Sequence, residues 1–195
     1  MTRKSTKDLI TGVASTLFAT KGFRHTTMET IAAAAGRGRR TVYMYFRDKV
    51  EIYNAVVDRE ISAITGPLRD VVRYADDIDT TLKKYASVRI EGISNLLERN
   101  PLLMRDFAQG HNRVEKLREK LNSEEIKIIR PFLDRYSKEI MKKGKIDSSD
   151  LSVLFLNLLR GNDRLLTLGA RGNKISELNT LACDVFLNGI RQVQG

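Results

Sequence analysis

Cationic, hydroxyl and thioether side chains are concentrated between residues 26 and 49 of the chain. The candidate contact residues are Thr27, Arg37, Arg39, Arg40, Thr41, Tyr43, Met44, Tyr45 and Lys49. Arginine pairs in a bidentate manner with guanine, threonine serves several bases, and methionine contacts the methyl group of thymine. Tyrosine hydroxyls on the flanks donate to phosphates. This side-chain chemistry indicates a surface for double-stranded DNA.

The positive charge of the chain lies mostly in the same part of the sequence. The 195 residues carry a formal charge of +10. The first 50 residues contain ten lysines and arginines against three acidic residues, which places +7 of that charge there. Such a distribution indicates a polyanion-binding module joined to a body with another task. On charge alone, a basic, solvated edge of an ordinary helical domain remains the alternative.

Two short helices around a glycine-marked corner would hold these side chains. The sequence TTME predicts a capping box in which Thr26 and Glu29 exchange hydrogen bonds at the start of helix two. The alanine-rich run after it ends at Gly36, where a left-handed residue stops the helix. Helix three follows Gly38 and extends to about Phe46. This pair has the organisation of a helix-turn-helix motif.

Longer helices brace this pair on both sides. Apolar residues recur at three- and four-residue steps from Ser5, which predicts a first helix ending near Lys21-Gly22. Asp48, with Glu51 three residues later, predicts the start of helix four. The head of the protein is therefore expected to be a three-helix domain over residues 1–47.

Helix three has an inner and an outer face. At about 100° per residue, Val42 and Phe46 fall on one side, and Arg40, Thr41 and Met44 fall on the other. The tyrosines at positions 43 and 45 flank the outer face. The outer face carries the side chains that suit a major groove, and the inner face suits a core.

The segment FATKGFRHTTMETIAAAAGRGRRTVYMYFRDKVEIY, residues 18–53, resembles the N-terminal DNA-binding domain of the tetracycline-repressor (TetR) family of bacterial transcription regulators. The resemblance rests on Phe18, Gly22-Phe23, Thr27, Ile31-Ala32, Ala35-Gly36, Thr41-Val42-Tyr43, Phe46 and Lys49. The corner departs from the family pattern, because Arg37-Gly38 stands where an apolar residue and a serine are usual. Arg39-Arg40 also replaces a pattern that more often ends in a small residue, so we expect a shifted operator preference.

The resemblance implies a homodimer whose two recognition helices enter successive major grooves of a near-palindromic operator. It places Tyr43, Tyr45 and Lys49 on phosphates, with Thr27 as a further phosphate contact. It also implies that the larger C-terminal part, residues 48–195, holds a small-molecule effector pocket and a dimer interface.

The rest of the chain reads as helical throughout, so the predicted fold class is all-α: the helix-turn-helix head is followed by a larger helical ligand-binding and dimerisation domain. A Gly66-Pro67 break is expected to end the fourth helix, and Pro131 is expected to kink or divide a long one. The predicted helices are 48–64, 68–75, 79–99, 101–109, 113–142, 149–169 and 174–193.

Polar residues within apolar stripes are the candidate effector contacts of the body. Glu60 and Arg89 lie at the centres of two stripes, where a lone buried charge is costly. They can pair with other core charges, including each other, or Arg89 can meet an anionic group of a ligand. Phe107 and His111 lie at a helix end that could open towards a cavity, although a histidine near a loop is more often exposed.

Asn162 is the third polar residue of this kind, and it lies among leucines of helix 149–169. It can fix the register of a four-helix dimer interface or line the pocket. Helices 149–169 and 174–193 carry apolar stripes that fit an interface or a core equally well. The resemblance favours the interface.

Several function classes have no support in the sequence. One cysteine and two histidines give no disulfide and no metal-ligand spacing, and no phosphate-cradling glycine motif or nucleophile elbow is present. We therefore expect no enzyme, no metal and no cofactor. No apolar stretch approaches the roughly 18 residues of a membrane span, and no signal peptide is recognisable, which predicts a cytoplasmic protein without a membrane partner.

The leading hypothesis is a homodimeric repressor that a small-molecule effector releases from its operator. The alternative is an architectural DNA-binding protein without an effector, which would show a steep salt dependence and little sequence preference.

Overall fold

The computed structural model describes residues 5–102, 112–140, 147–167 and 172–192 of the chain. Within these ranges the regular structure consists of eight helices and includes no strand, so the predicted all-α fold class is confirmed. The helices are α1 (Thr6–His25), α2 (Met28–Ala34), α3 (Arg39–Tyr45), α4 (Lys49–Arg73), α5 (Ile78–Arg99), α6 (Asn112–Ile140), α7 (Ser148–Thr167) and α8 (Gly172–Gln192).

Helix α1 begins and ends close to the predicted positions. Ser5 caps it, because its hydroxyl accepts from the Asp8 amide at 3.1 Å and the Asp8 carboxylate accepts from the Ser5 amide at 3.3 Å. Gly22 leaves helical geometry with φ +80°, which marks the predicted end. One further turn carries the assigned helix on to His25.

The predicted cap of α2 is wrong by one residue. Thr27 is the N-cap: its hydroxyl accepts from the Thr30 amide at 3.2 Å, and Thr30 Oγ1 accepts from the Thr27 amide at 2.9 Å. Thr26 cannot serve as the cap, because it is buried and its hydroxyl donates to the Gly22 carbonyl at 2.9 Å. Thr26 therefore closes the end of α1, and Thr27 opens α2.

The corner between α2 and α3 has the predicted geometry. Gly36 adopts φ +59°, a left-handed conformation that favours glycine, and the Arg37 amide donates to the Ala32 carbonyl at 3.0 Å. Gly38 precedes α3 without a side-chain cap. The inner face of α3 is buried as expected, with Val42 at 0% and Phe46 at 2% exposure.

Helix α4 is longer than predicted, since it passes through Gly66 and Pro67 without a break. A proline removes one backbone donor from the helix. The surrounding side chains compensate for that loss, because Ile64, Leu68 and Val71 are all buried in the core of the body. Tertiary packing therefore overrides the local signal. Pro131 likewise lies within one continuous helix, α6, which is not divided.

Two apolar cores are present, and α4 contributes to both. The head core is built around Ile10, Ala14, Ile31, Val42 and Phe46, and α4 adds Ile52 and Val56 to it. The body core is formed by α5 to α8, and α4 adds residues from Ile61 onward. The helix predicted for 101–109 lies almost wholly outside the described residues.

Candidate DNA-binding surface and effector cavity

The outer face of α3 presents large side chains to solvent. Met44 is 77% exposed, Tyr43 is 43% exposed and Tyr45 is 42% exposed, although each has substantial apolar surface. Arg40 is exposed between them, and Thr41 is half-buried. Neighbouring exposed apolar side chains on a basic surface mark a contact site for another molecule. The structure therefore brings these five predicted residues together on one face.

Arg39 lies at the start of this face and is held by an acid. Its guanidinium pairs with Glu29 at 2.9 Å and lies 5.6 Å from the centre of the Tyr43 ring. The backbone amide at the start of α2 holds the pKa of Glu29 below its ordinary value, with the Thr27 side chain as the next cause. Glu29 is thus the partner of Arg39 in this structure.

The other arginines of the corner have no acidic partner among the described residues. Arg37 folds back and donates to the Gly36 carbonyl at 3.1 Å. Arg40 forms no salt bridge with any of the residues placed by the structure. Cations in this state attract phosphates from solution, because no carboxylate of the protein neutralises them.

Lys49 has an internal role that the sequence did not indicate. Its ammonium group donates to the carbonyls of Phe23 at 2.8 Å and Thr26 at 2.7 Å, and it lies 4.3 Å from the centre of the Phe23 ring. These contacts tie the start of α4 to the end of α1. The predicted phosphate contact of Lys49 stays a prediction, as does that of Thr27, which is exposed and caps α2.

The body contains a cavity of about 520 Å³ between α5, α6 and α7. Ligand pockets typically have volumes of about 300–1,000 Å³. Its apolar wall consists of Ile93, Leu96, Leu97, Leu117 and Leu121. Its polar lining consists of Arg89, Glu115, Arg118, Glu119, Asn122, Asn157, Arg160 and Asp163.

Arg89 is fully paired at the base of this cavity. Its Nε donates to Glu125 at 2.7 Å, and its two terminal nitrogens donate to both oxygens of Asp163 at 2.7 and 2.9 Å. Burial alone lowers the pKa of Arg89, but the two carboxylates raise it above its ordinary value. Of the two interpretations of Arg89, the structure shows the core ion pair.

Glu60 pairs elsewhere, so the two central charges do not pair with each other. Its carboxylate accepts from Arg99 at 3.2 Å and from the hydroxyl of Ser15 at 3.4 Å. Ser15 lies on α1, Glu60 on α4 and Arg99 on α5. Glu60 therefore links the head to the body.

Glu125 and Asp163 are the ion-pair partners of Arg89 that sequence inspection missed. Glu125 continues a buried stripe of α6 at Leu117, Leu121 and Ile128, and burial raises the pKa of its carboxyl group. Asp163 follows the buried Leu159 by four residues on α7. A charged residue at an apolar position of the helical repeat is the same signal that identified Arg89 and Glu60.

Asn162 joins two helices of the same chain. Its amide donates to Asn179 Oδ1 at 2.8 Å, which connects α7 to α8, and Asn179 is buried. Asn162 is not among the side chains that line the cavity. Phe107 and His111, the two remaining candidates, lie outside the described residues.

The last two helices have both a buried and an exposed apolar face. Leu151, Phe155, Cys183 and Phe186 belong to the body core. The opposite faces of α7 and α8 expose aliphatic side chains: Val153, Leu154, Leu181 and Val185 are 41–57% exposed. The two interpretations of these stripes are thus compatible, since one face packs inside the chain and the other remains open.

In the part of the chain that the structure describes, no three or more histidine, cysteine, aspartate or glutamate side chains are arranged to hold a metal ion. No helix there is long and apolar enough to cross a membrane.

The fold and these surfaces define an all-helical protein with a helix-turn-helix head and a larger body that contains a cavity. Residues 10–56 match the model of "bacterial regulatory proteins, tetR family". This match covers the segment in which the sequence resembles the same family, residues 18–53, so the resemblance is confirmed there.

Solved structures share the fold over nearly the whole chain. The fatty acid degradation regulator FadR from Bacillus halodurans is 17% identical, with a TM-score of 0.66 over 98% of this chain and 99% of FadR. SmeT, the repressor of the SmeDEF multidrug efflux pump of Stenotrophomonas maltophilia, is 21% identical, with a TM-score of 0.66 over 95% of this chain and 90% of SmeT.

The flavonoid-responsive regulator FrrA is 21% identical, with a TM-score of 0.67 over 94% of this chain and 96% of FrrA. At these identities the similarity establishes the fold. No curated protein matches the sequence at a significant level.

Proposed function

We propose that the protein is a homodimeric, sequence-specific transcriptional repressor that binds operator DNA with α3 and is released by a small-molecule effector. The observation that carries the proposal is the outer face of α3, where Arg40, Tyr43, Met44 and Tyr45 are exposed within a TetR-family head. We assign DNA binding to residues 1–47 and effector binding and dimerisation to residues 48–195. Such a regulator acts in the bacterial cytoplasm, where its operator lies.

A homodimer is supported by the exposed aliphatic face of α7 and α8. A two-fold interface uses the same patch on both subunits, and burying the four side chains at positions 153, 154, 181 and 185 would remove them from water. Two heads about 34–36 Å apart would match successive major grooves of one near-palindromic site.

An effector response is supported by a wall that two cavities share. Leu96 of α5 and Leu117 of α6 line the 520 Å³ cavity and also a second cavity between head and body. The head side of that second cavity contains Phe18, Phe23 and Tyr53, whose ring centres lie 5.2–5.6 Å apart. A ligand that displaces Leu96 or Leu117 would therefore alter the packing beneath the head. It would weaken DNA binding by no more than the difference between its binding free energies for the DNA-bound and the free conformation of the protein.

The decisive experiment is DNA binding by the purified protein, measured by fluorescence anisotropy at several salt concentrations. The labelled duplex is the DNA upstream of the protein's own gene, and random DNA of the same length competes. We expect a preference of about 10³ or more for the specific duplex. Equal affinity for both duplexes, with no site found by genome-wide mapping, would contradict the proposal and favour the architectural alternative.

A further inference from the structure

We propose that the effector of the 520 Å³ cavity is an apolar organic anion and that Arg160 is the residue that binds its charge. This inference rests on the proposed function, because it assigns a ligand class to the same site. It also replaces Arg89, the anion-binding candidate in the sequence, with a different arginine of the cavity lining.

Arg160 differs from the other arginines of the cavity in its partners. Arg89 is paired with two carboxylates, and Arg118 is paired with Glu115 at 2.7 Å. Among the residues that the structure describes, Arg160 donates only to neutral acceptors, which are the Leu156 carbonyl at 3.3 Å and the side-chain oxygen of Asn157. Within the described part of the chain it therefore lines the cavity without an ion pair.

The position of Arg160 makes this lack of an acidic partner significant. Its side chain is half-buried, so water solvates the guanidinium group less well than it would on an open surface. An anionic group in the cavity would restore that interaction, and the planar guanidinium binds carboxylate or phosphate oxygens in a bidentate manner. The same site offers no comparable gain to a neutral ligand.

Within the described ranges of the chain, the acidic groups around the cavity do not provide an equivalent site for a cation. Both oxygens of Asp163 accept from Arg89, and Glu115 is paired with Arg118. Glu125 lies behind Arg89 and does not line the cavity, although the charge of Arg160 lowers its pKa as a minor influence against burial. Glu119 is exposed on the rim, where water solvates it.

The remaining lining defines the uncharged part of the ligand. The five aliphatic side chains of the wall would cover an aromatic or aliphatic body of the ligand. Asn122 Oδ1 is buried there without a hydrogen-bond partner. A hydroxyl or N–H group on the body of the ligand would satisfy that acceptor.

Three probes with the same ring system and different charges test the ligand class. They are 2-naphthoate, 2-naphthalenemethanol and 2-naphthylmethylammonium, titrated into the full-length protein by calorimetry. We expect 2-naphthoate to bind most tightly. Tighter binding of the ammonium compound or of the alcohol, or no binding of 2-naphthoate, would overturn the proposal.

Variants of two arginines test the assigned residue. We expect Arg160→Gln to weaken 2-naphthoate about tenfold to a hundredfold, because it removes a charged hydrogen-bond partner. Arg160→Lys should recover part of the affinity, since it keeps the charge and loses the bidentate geometry. Arg130→Gln, a control at an exposed arginine outside the cavity lining, should change the affinity less than about threefold.

An unchanged affinity of Arg160→Gln for 2-naphthoate would overturn the assignment. Thermal unfolding and operator binding of each variant show that the fold and the head are intact. Specific DNA binding that responds to a cationic or neutral compound would contradict the anion proposal and leave the regulator proposal standing.

Discussion

The arginines at positions 37 and 40 of the head and Arg89 of the body serve opposite purposes in this protein. In the head, Arg37 and Arg40 are exposed and have no acidic partner among the described residues, so their charge is available to a polyanion. In the body, Arg89 is 1% exposed and its charge is compensated by Glu125 and Asp163. The environment of each guanidinium, rather than the residue type, determines whether it binds a partner or holds helices together.

The largest expected effect comes from breaking the buried ion group. Arg89→Met leaves two carboxylates in the core without a countercharge, and removing one partner of a buried pair typically costs about 3–5 kcal/mol. We expect the free energy of unfolding in urea to fall by about that amount. The triple variant Arg89→Met with Glu125→Gln and Asp163→Asn should recover much of the loss.

The surface pair Arg69–Glu124, joined at 3.1 Å, provides the control. Arg69→Met should cost less than about 1 kcal/mol. Similar losses for the Arg89 and Arg69 variants would contradict the contrast between buried and exposed arginines.

The second effect concerns the head, where a charge can be removed without loss of stability. Arg40→Ala should weaken specific DNA binding by about 1–3 kcal/mol and leave the unfolding midpoint nearly unchanged. If Arg40 contacts a base, its removal should relax the sequence preference at one operator position. If Arg40 contacts a phosphate, its removal should weaken the binding of all DNA sequences equally. Competition anisotropy with single-base operator variants separates these two outcomes.

Arg73, exposed on the body, is the matched cation for this measurement. Arg73→Ala should leave DNA affinity within about twofold. Equal losses for Arg40→Ala and Arg73→Ala would mean that net charge, rather than the face of α3, determines binding.

The smallest expected effect is at Lys49, a cation whose partners in the protein are uncharged carbonyl groups. Lys49, at the first position of α4, binds backbone carbonyls of the head, as Arg89 binds acids in the body. Lys49→Met should lower the free energy of unfolding by about 1 kcal/mol, because two hydrogen bonds to the end of α1 are lost. Urea denaturation measures this change, and Lys84→Met on the exposed face of α5 is its control.

Operator binding of the same variant addresses the predicted phosphate contact. If Lys49 serves only the fold, the affinity and its salt dependence should follow those of the Lys84 control. If the dependence of log K on log [salt] becomes shallower by the amount expected for about one lost phosphate contact, Lys49 binds DNA as well.

Local patterns predicted much of the head, because its elements depend on neighbouring residues. Gly36 ends α2, Asp48 caps α4, and Val42 and Phe46 face inward, each as the sequence indicated. The error at Thr26 arose because two adjacent threonines compete for one cap, and burial against α1 decides between them.

The body was less predictable because its decisive contacts join distant residues. Glu125 is 36 positions from Arg89, and Asp163 is 74 positions from it. Helix periodicity places each charge on a face, but only the packing of α5 against α6 and α7 determines which charges meet. Pro67 illustrates the same limit, since the apolar residues around it keep α4 intact.

The continuity of α4 has a mechanical consequence. With 25 residues at about 1.5 Å each, α4 is a rod of roughly 37 Å whose two ends belong to different cores. A pivot near Ile61 leaves an arm of about 18 Å reaching to the Lys49 end, so a tilt of about 10° in the body moves each head by about 3 Å. In the proposed homodimer, an unbroken helix through Pro67 would therefore act as a lever that turns a small rearrangement beside the cavity into a change in the spacing of the two heads.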